Sequence, residues 1–491
     1  MYNYDKVRYI NLVILREEKD MEINKIKKRS QVIAAVFVVI LVIFCGYLFK
    51  CSASFAGINV KTDELRKSTV DKLLKQTVMQ GSIYDKDGVL LSEGIVGKKV
   101  IYNKKTKEKK YKDYLTGKLT YPEEYSWLLG YVHTDTNHSC GLKGKYEQYL
   151  YREGKDGKGA DIHLTLNNKL QRKAYETIEG NDASAIVLDV HTGKVLALAS
   201  AKETEIPYNV NDEVYGTNYD YWSKKDTGFF KTNGIQDAAE PGSVFKLVIA
   251  SAILENGREK DTVKDTGTVE IGNGTVSNNG KVARGKIGLQ EALGYSSNIF
   301  FAKEALKMNG TVLKEQADKF LIGQNINLDF TTLQSNFDLG NKGEEIIAAT
   351  GYGQGNTLMT PLHIAMVAQA IANNGKMLKP YMVEKIIQDK KTILKGKEET
   401  LGQPVSRKNA KKLKTLLKNV ATDYYGIDSD LGLCTKTGTS QIAGGKYKCY
   451  FLAFSDDYVV LVSKVTEDTG EYGRHLQSSV LNIFEYLNAN Q

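Results

Sequence analysis

The residues in this sequence that are best placed for covalent chemistry are a serine and a lysine three positions apart. Ser243 and Lys246 stand in the segment AEPGSVFKLVIASAILENG, where a Pro-Gly pair interrupts the chain and a helix is expected to begin at the serine. Residues three apart share one face of a helix, so the lysine amine would lie one turn from the serine hydroxyl. The 491-residue chain contains no second Ser-x-x-Lys.

Burial would make this pair reactive. The residues that follow Ser243 are apolar on nearly every side of the expected helix, and such a helix is typically buried. Burial and a second nearby cation both disfavour a protonated amine, so Lys246 could take the proton of a serine that is a poor nucleophile without a base. The alternative is structural, with Ser243 as an N-cap and Lys246 as a lysine whose amine reaches solvent.

Two further segments carry hydroxyl, amide and amine groups. Ser296 and Asn298 precede the helical segment IFFAKEALKMNG, and the segment Lys436–Thr439 (KTGT) enters a strand just before the last predicted hairpin. That position predicts a sheet edge that faces a cleft. The structural alternatives are a helix cap at Ser296 and a plain strand end at the lysine. Another Ser-x-Asn, at 277–279, lies in a Gly- and Asn-rich stretch and is interpreted as a hairpin loop.

The elements that would position these segments form an α+β pattern. Apolar strands are predicted on both sides of a turn within residues 183–200, and again over 447–455 and 458–465. A closing amphipathic helix is predicted over 474–488, and helices occur between the two hairpins. Strands at both ends of such a region indicate one antiparallel sheet, so residues 161–491 are predicted to form one α+β domain.

Composition and charge exclude several classes of protein. The formal net charge is +9, but the 67 basic and 58 acidic residues are mixed along the chain, which does not indicate a nucleic-acid-binding tail. The five cysteines form no C-x-x-C pair and do not indicate a disulfide framework. No spacing of histidines and cysteines supports a metal site, and no cofactor is predicted.

The N-terminal region contains a predicted membrane anchor. Residues 32–49 (VIAAVFVVILVIFCGYLF) carry no charge and are long enough to cross a bilayer as one helix. Lysines and an arginine just before it predict that residues 1–31 are cytoplasmic and that the rest of the chain lies outside. A cleaved signal peptide is the alternative, although its apolar part is usually shorter. The basic run after Met21 indicates a second candidate start of translation.

The order of the three segments resembles that in the penicillin-recognising serine transferases, and the chain is similar to class B penicillin-binding proteins. Further similarities are the glycine-rich segment 351–355, Thr-Pro-Leu at 360–362, Leu-Thr-Leu-Asn at 164–167 and the segment 81–88 (GSIYDKDG). The resemblance therefore covers residues 80–465. Gln80, Asn167 and Thr435 depart from the residues usual in the family, but none of them is a proposed chemical group.

The resemblance implies a fold and a domain order. It implies an α+β protein with a single N-terminal transmembrane helix (32–49), an extended β-rich membrane-proximal module without catalytic residues (50–160) and a transpeptidase domain (161–491). The transpeptidase domain is expected to have a central antiparallel sheet flanked by helices. The implied location is the cell membrane, with the catalytic domain outside the cytoplasm.

The resemblance also implies an activity, the crosslinking of peptidoglycan stem peptides by acyl transfer. Ser243 would attack the D-Ala–D-Ala carbonyl, and Lys246 would take the proton of the serine hydroxyl. Ser296, held by Lys436, would relay a proton to the leaving amine. A β-lactam antibiotic would mimic the dipeptide and leave a stable ester on the same serine.

The remaining residues of the segments would bind the substrate. The resemblance implies that Asn298 positions the acyl donor and that Thr437 and Thr439, on either side of Gly438, bind its carboxylate. The backbone amides of Ser243 and Thr439 would form the oxyanion hole.

Other functions of the same site stay open. A D,D-carboxypeptidase would use water as the acceptor, and a non-catalytic β-lactam sensor or scaffold for a polymerase would be acylated without a crosslinking role. A β-lactamase is disfavoured because no carboxylate motif that would activate water appears between Asn298 and Lys436. Residues 51–160 are too few for a glycosyltransferase domain, so the resemblance implies a polytopic glycosyltransferase of the SEDS family as partner.

Overall fold

The computed structural model describes residues 77–102, 109–132, 139–203, 231–340, 343–467, 470 and 472–490, all within one compact unit. The predicted anchor at 32–49 and the predicted cytoplasmic residues 1–31 lie outside these ranges. Within the described ranges, no helix combines the length and the apolar character that crossing a bilayer requires. The anchor therefore stays a prediction.

Strands and helices alternate along the described chain. The strands are β1 (Ile83–Tyr84), β2 (Leu90–Tyr102), β3 (Lys109–Leu119), β4 (Asp161–Leu164), β5 (Ala183–Asp189), β6 (Val195–Ala201), β7 (Val263–Asp265), β8 (Thr268–Ile271), β9 (Gly274–Ser277), β10 (Gly285–Ile287), β11 (Met377–Leu378), β12 (Val383–Gln388), β13 (Lys391–Lys395), β14 (Thr400–Gly402), β15 (Cys434–Gln441), β16 (Tyr447–Phe454) and β17 (Tyr458–Thr466). The α-helices are α1 (Pro122–Leu129), α2 (Gly141–Lys145), α3 (Glu147–Leu150), α4 (Asn168–Glu176), α5 (Lys246–Glu255), α6 (Leu289–Gly294), α7 (Asn298–Lys319), α8 (Glu344–Gly351), α9 (Pro361–Ala372), α10 (Arg407–Tyr425) and α11 (Gln477–Ala489).

The central sheet has five strands in the order β15-β16-β17-β5-β6, and every neighbouring pair is antiparallel. Both predicted hairpins belong to it, one as β5–β6 and the other as β16–β17. The two hairpins come from opposite ends of residues 161–491. The pairing of β17 with β5 joins them into one sheet. The first strand in the order, β15, carries the KTGT segment and forms one edge of the sheet.

Helices cover both faces of this sheet. Most residues of β5, β16 and β17 are buried and none is exposed, and strands that lack an exposed face must be covered on both sides. Helix α4 packs on β6 and on α11, whereas α9 packs on β5 and β17. All twelve residues of α9 are buried, because α10 also packs against it. The predicted α+β class with a central antiparallel sheet flanked by helices is confirmed.

A second sheet joins the two regions that the sequence divides at residue 161. Its six strands have the order β13-β12-β4-β1-β2-β3. Strand β4, which begins the predicted transpeptidase domain, lies between β1, with which it is parallel, and β12, with which it is antiparallel. Residues on both sides of the predicted boundary thus share one hydrogen-bonded sheet, and three of its strands (β1 to β3) come from the predicted β-rich module.

Candidate active site

Ser243 lies in a tight turn that leads into helix α5. Residues Gly242–Phe245 form a single 3-10 turn, and the α-helix begins only at Lys246, three residues later than predicted. The 3-10 turn is wound more tightly than an α-helix. It begins at Gly242, whose φ of +55° is a conformation that glycine adopts without strain. Lys246 still lies on the same side as Ser243.

The glycine-rich segment 351–355 packs directly against this turn. The Gly242 N–H donates to the Gly353 carbonyl oxygen over 2.9 Å. Gly353 has a φ of +83°, and a Cβ atom on it would lie 1.9 Å from the Gly242 carbonyl oxygen. Only a residue without a side chain fits such a contact, which explains the glycine at this position.

The Ser296–Asn298 segment connects helices α6 and α7. The Ser297 side chain accepts a hydrogen bond from the Phe300 N–H over 3.0 Å and caps α7. The structural alternative of Ser296 as the cap is therefore wrong, because its neighbour has that role. Ser296 adopts a φ of +54°, an uncommon conformation for a residue with a side chain, and its hydroxyl lies beside two lysines.

The Lys246 amine is the centre of the site's hydrogen bonds. It lies 3.0 Å from Ser243 Oγ, 2.6 Å from the Ser296 carbonyl oxygen and 2.7 Å from Asn298 Oδ1. It also lies 3.2 Å from Ser296 Oγ and 5.5 Å from the centre of the Phe301 ring. The side chain has no exposed surface, so the alternative of an amine that reaches solvent is wrong.

Burial makes both lysines of the site poor cations. It holds the pKa of Lys246 well below its usual range, and the neighbouring charge of Lys436 lowers that pKa further, whereas Asp265 opposes the shift. Burial also lowers the pKa of Lys436 to about 7. Lys436 Nζ donates to Ser296 Oγ and to the Thr437 carbonyl oxygen, each over 3.0 Å. At neutral pH the two amines are therefore poised to hold fewer than two protons.

Strand β15 forms a further wall of the site, next to the turn that carries Ser243. The hydroxyls of Thr437 and Tyr425 are hydrogen bonded at 2.6 Å, and the Gly473 N–H donates to Thr439 Oγ1 over 3.1 Å. A Cβ atom on Gly438 would lie 2.8 Å from the Pro241 carbonyl oxygen. The glycine therefore lets the edge strand approach the turn that carries the serine.

These walls enclose an open cleft with a volume of about 570 Å³. Its lining includes six of the eight predicted site residues, namely Ser243, Ser296, Asn298, Thr437, Gly438 and Thr439. The other two, Lys246 and Lys436, are buried and hydrogen bonded to residues of the lining. The structure thus brings all eight to one place. Among the described residues, no cluster of histidine, cysteine or carboxylate side chains is suited to hold a metal ion.

Residues 277–279 were interpreted from the sequence as a hairpin loop, but they form the end of strand β9 and the start of the turn after it, and they line the cleft. The Asn298 amide donates to the Ser277 carbonyl oxygen, and Asn278 Oδ1 accepts from the Asn298 N–H, both at 2.9 Å. The buried Asp265 carboxylate accepts in turn from Asn278 Nδ2 and Ser297 Oγ. The Ser-x-Asn spacing was the available signal for this segment, whereas nothing in the sequence pattern singled out Asp265.

Comparison with known proteins agrees with this geometry. Residues 183–484 match the family model described as the penicillin binding protein transpeptidase domain. The chain is 28% identical to penicillin-binding protein 3 of Bacillus subtilis over 309 residues, which are 60% of this chain and 44% of that protein. It is 26% identical to the peptidoglycan D,D-transpeptidase PbpA of Mycolicibacterium smegmatis over 384 residues, which are 70% of this chain and 76% of that protein. The match thus spans less than half of the Bacillus relative.

Solved structures share the fold. The D,D-transpeptidase domain of a peptidoglycan glycosyltransferase from Eggerthella lenta superposes with a TM-score of 0.70 at 25% identity and covers 84% of this chain and 100% of its own. The penicillin G acyl-enzyme complex of penicillin-binding protein A from Mycobacterium tuberculosis gives a TM-score of 0.71 at 19% identity, with the same two coverages. The family model matches more than half of the residues, and the expected resemblance is confirmed: this chain belongs to the penicillin-binding protein transpeptidase family, in its class B group.

Proposed function

We propose that this chain is a serine-type D-Ala–D-Ala transpeptidase that crosslinks peptidoglycan stem peptides and is acylated by β-lactams on Ser243. Family membership supports the reaction class. The observation that carries the proposal is the buried Lys246 amine, 3.0 Å from Ser243 Oγ at the base of a cleft that all three segments line.

The contacts of Lys246 suit a neutral amine. A neutral amine has two N–H groups and one lone pair. The carbonyl oxygen of Ser296 and Oδ1 of Asn298 can only accept, and they lie closest to the nitrogen, at 2.6 and 2.7 Å. They therefore take the two N–H groups, and the lone pair is left for the Ser243 hydroxyl. Lys246 would accept the serine proton as the oxygen attacks the carbonyl carbon of the acyl donor.

The β15 wall would bind the reacting end of the donor. The terminal carboxylate would accept hydrogen bonds from the hydroxyls of Thr437 and Thr439. Thr439 Oγ1 already accepts from the Gly473 N–H, so its own proton is free to be donated to a ligand. The developing oxyanion would lie between the backbone amides of Ser243 and Thr439, and donors of this kind contribute roughly 3 to 4 kcal/mol each to catalysis.

Ser296 is placed to move a proton between the two amines. Its Oγ lies 3.2 Å from the Lys246 nitrogen and 3.0 Å from the Lys436 nitrogen. When the tetrahedral intermediate collapses, the Ser296 hydroxyl would pass a proton to the departing D-Ala amine and recover one from Lys246. The ester on Ser243 would then be attacked by an amine of a neighbouring stem peptide, which forms the crosslink and releases the serine.

We also propose that residues 32–49 anchor the protein in the cell membrane, with residues 1–31 in the cytoplasm and the cleft outside. The uncharged segment and the basic residues before it support this arrangement. A polytopic SEDS glycosyltransferase would supply the glycan strands. Protease treatment of intact and opened spheroplasts tests the orientation. Digestion of the part of the chain after residue 77 is expected in intact spheroplasts, and its protection there would contradict the proposal.

Product analysis tests the reaction. The purified protein is incubated with a glycan polymerase and lipid-linked disaccharide pentapeptide, and the digested products are separated by mass. Crosslinked dimers are expected with the wild-type chain and none with Ser243→Ala. Release of D-Ala without dimers would make the chain a carboxypeptidase. The absence of both dimers and released D-Ala would favour a scaffold or sensor.

A further inference from the structure

An arginine stands over a tyrosine beside the Ser296 segment of the cleft. The Arg284 guanidinium lies 4.2 Å from the centre of the Tyr295 ring, which is partly exposed and directly precedes Ser296. Both residues line the cleft that contains Ser243. Of the charged side chains that the structure describes, no carboxylate lies within ion-pair distance of this guanidinium.

The position of the arginine is built by successive contacts. Tyr424, on helix α10, meets the Tyr295 ring edge to face at a centroid distance of 5.1 Å. A Cβ atom on Gly294 would lie 2.3 Å from the Tyr424 ring, so the glycine makes this approach possible. The Arg284 N–H donates to the Asp265 carbonyl oxygen over 3.2 Å, which fixes the backbone under the side chain. We call Arg284, Tyr295 and Tyr424 the arginine–tyrosine stack.

The stack leaves the donors of the arginine available. A guanidinium that lies on an aromatic face keeps the N–H groups at its edge free, and their fork geometry matches a carboxylate. Stacking also reduces the side-chain freedom that binding would otherwise remove. An unpaired and preorganised arginine in a cleft is therefore suited to an anionic ligand group.

A second arginine, Arg474, lies near the proposed binding site of the donor's terminal carboxylate. Arg474 lies 5.5 Å from the centre of the Tyr425 ring, and the Tyr425 hydroxyl is bonded to Thr437 on the β15 wall. This arginine is on the side that would receive the terminal carboxylate of the donor. Arg284 contacts Tyr295, which directly precedes Ser296, and so lies beside the Ser296 segment of the same cleft. The cleft lining thus contains two arginines, Arg284 beside the Ser296 segment and Arg474 beside the β15 wall.

We propose that Arg284 is a specificity-determining residue that binds a second carboxylate of the acyl donor, borne by the stem peptide on the N-terminal side of D-Ala–D-Ala. The inference rests on the proposed function and names its substrate class: donors that carry this additional negative charge. A donor in which that carboxylate is replaced by a carboxamide would lose the charged hydrogen bonds and keep its shape.

Competition with a matched pair of peptides tests the inference. Acetyl-L-Glu-D-Ala-D-Ala and acetyl-L-Gln-D-Ala-D-Ala each compete with a fluorescent penicillin for the full-length protein, and the ratio of their two inhibition constants is measured. The wild-type chain is expected to prefer the glutamyl peptide by about fivefold, a size typical of a partly exposed charged pair. Arg284→Gln is expected to bring the ratio close to one.

Lys286→Gln is the matched control. Lys286 is exposed on strand β10, two residues after Arg284, and its replacement removes the same charge without touching the cleft lining. It is expected to keep the wild-type ratio. If Arg284→Gln kept the wild-type ratio of inhibition constants, or if the ratio fell equally in Arg284→Gln and Lys286→Gln, the inference would be overturned. The proposed function would not be affected by either result. Failure of the wild-type chain to react with penicillin would overturn the proposed function, and the inference with it.

Discussion

Ser296 is the residue at which the two buried amines of the site meet. Its hydroxyl is within 3.2 Å of the Lys246 nitrogen and 3.0 Å of the Lys436 nitrogen, and neither lysine has exposed surface. Two ammonium groups so close together in a poorly solvated place repel, so a state with one proton is favoured over a state with two. One amine can then act as a base while the other supplies positive charge.

This sharing of protons predicts how acylation depends on pH. The rate of acylation by benzylpenicillin should rise with pH as Lys246 loses its proton, since only the neutral amine can accept one from Ser243. It should fall again as Lys436, whose pKa burial lowers to about 7, becomes neutral and no longer supplies charge. Stopped-flow measurement from pH 5 to 10 should therefore give a bell-shaped profile.

Lys411→Met, on an exposed position of helix α10, should keep both limbs of that profile. A rate that stays constant across the range would show that neither lysine titrates in the reaction. That outcome would contradict the assignment of Lys246 as the base.

At the scale of elements, the site depends on three places where two chain segments lie closer to each other than a side chain between them would allow. Glycines mark each approach: Gly353 against the turn before Ser243, Gly438 of β15 against Pro241, and Gly473 against the Gly438 carbonyl oxygen. Each contact brings a backbone amide or hydroxyl to the cleft. Catalytic geometry is therefore set largely by backbone packing, which a methyl group would disturb.

Gly353→Ala should lower both stability and reactivity. The new Cβ would meet the Gly242 carbonyl oxygen and would also impose a strained φ, so a loss of at least about 3 kcal/mol is expected. Gly257→Ala is the matched control, because Gly257 has a φ of +68° but open space around it, and it should cost only about 1 to 2 kcal/mol. Urea unfolding and the acylation rate check both; equal losses in the two variants would contradict the packing account.

The sequence predicts elements better than it predicts their neighbours. Apolar strands gave both central hairpins, and the all-round apolar helix correctly predicted the burial of Lys246. Residues 277–279 fit the Ser-x-Asn pattern, yet nothing in that pattern shows that Ser277 and Asn278 contact Asn298. Arg284 and Tyr295 belong to no spacing pattern, and their contact with Tyr424 depends on how helix α10 packs against them.

At the scale of the whole molecule, the region before residue 161 is tied to the catalytic part by more than the shared sheet. The Asp85 carboxylate accepts from the Asn168 N–H over 3.0 Å, at the start of helix α4. The Thr232 hydroxyl donates to the Trp127 carbonyl oxygen over 2.6 Å, in the segment that leads towards Ser243. Removal of residues before 161 would leave these groups without their partners, and strand β4 would keep β12 but lose β1.

A fragment of residues 161–491 should therefore fold poorly. Compared with residues 77–491, it should melt at a lower temperature or without cooperativity, and should react more slowly with benzylpenicillin. Differential scanning calorimetry and the acylation rate of both fragments check this. A fragment 161–491 that melts cooperatively at the same temperature would instead support an independent domain with the boundary predicted from the sequence.

The central claim is that Ser243 is a nucleophile because Lys246 takes its proton. The most direct measurement is the mass and location of the covalent adduct that benzylpenicillin leaves on the intact protein at neutral pH. One adduct is expected, as an ester on Ser243, and Lys246→Met should form it at least about a hundredfold more slowly, whereas Lys411→Met forms it at the wild-type rate. An adduct on another residue, or an undiminished rate in Lys246→Met, would contradict the account.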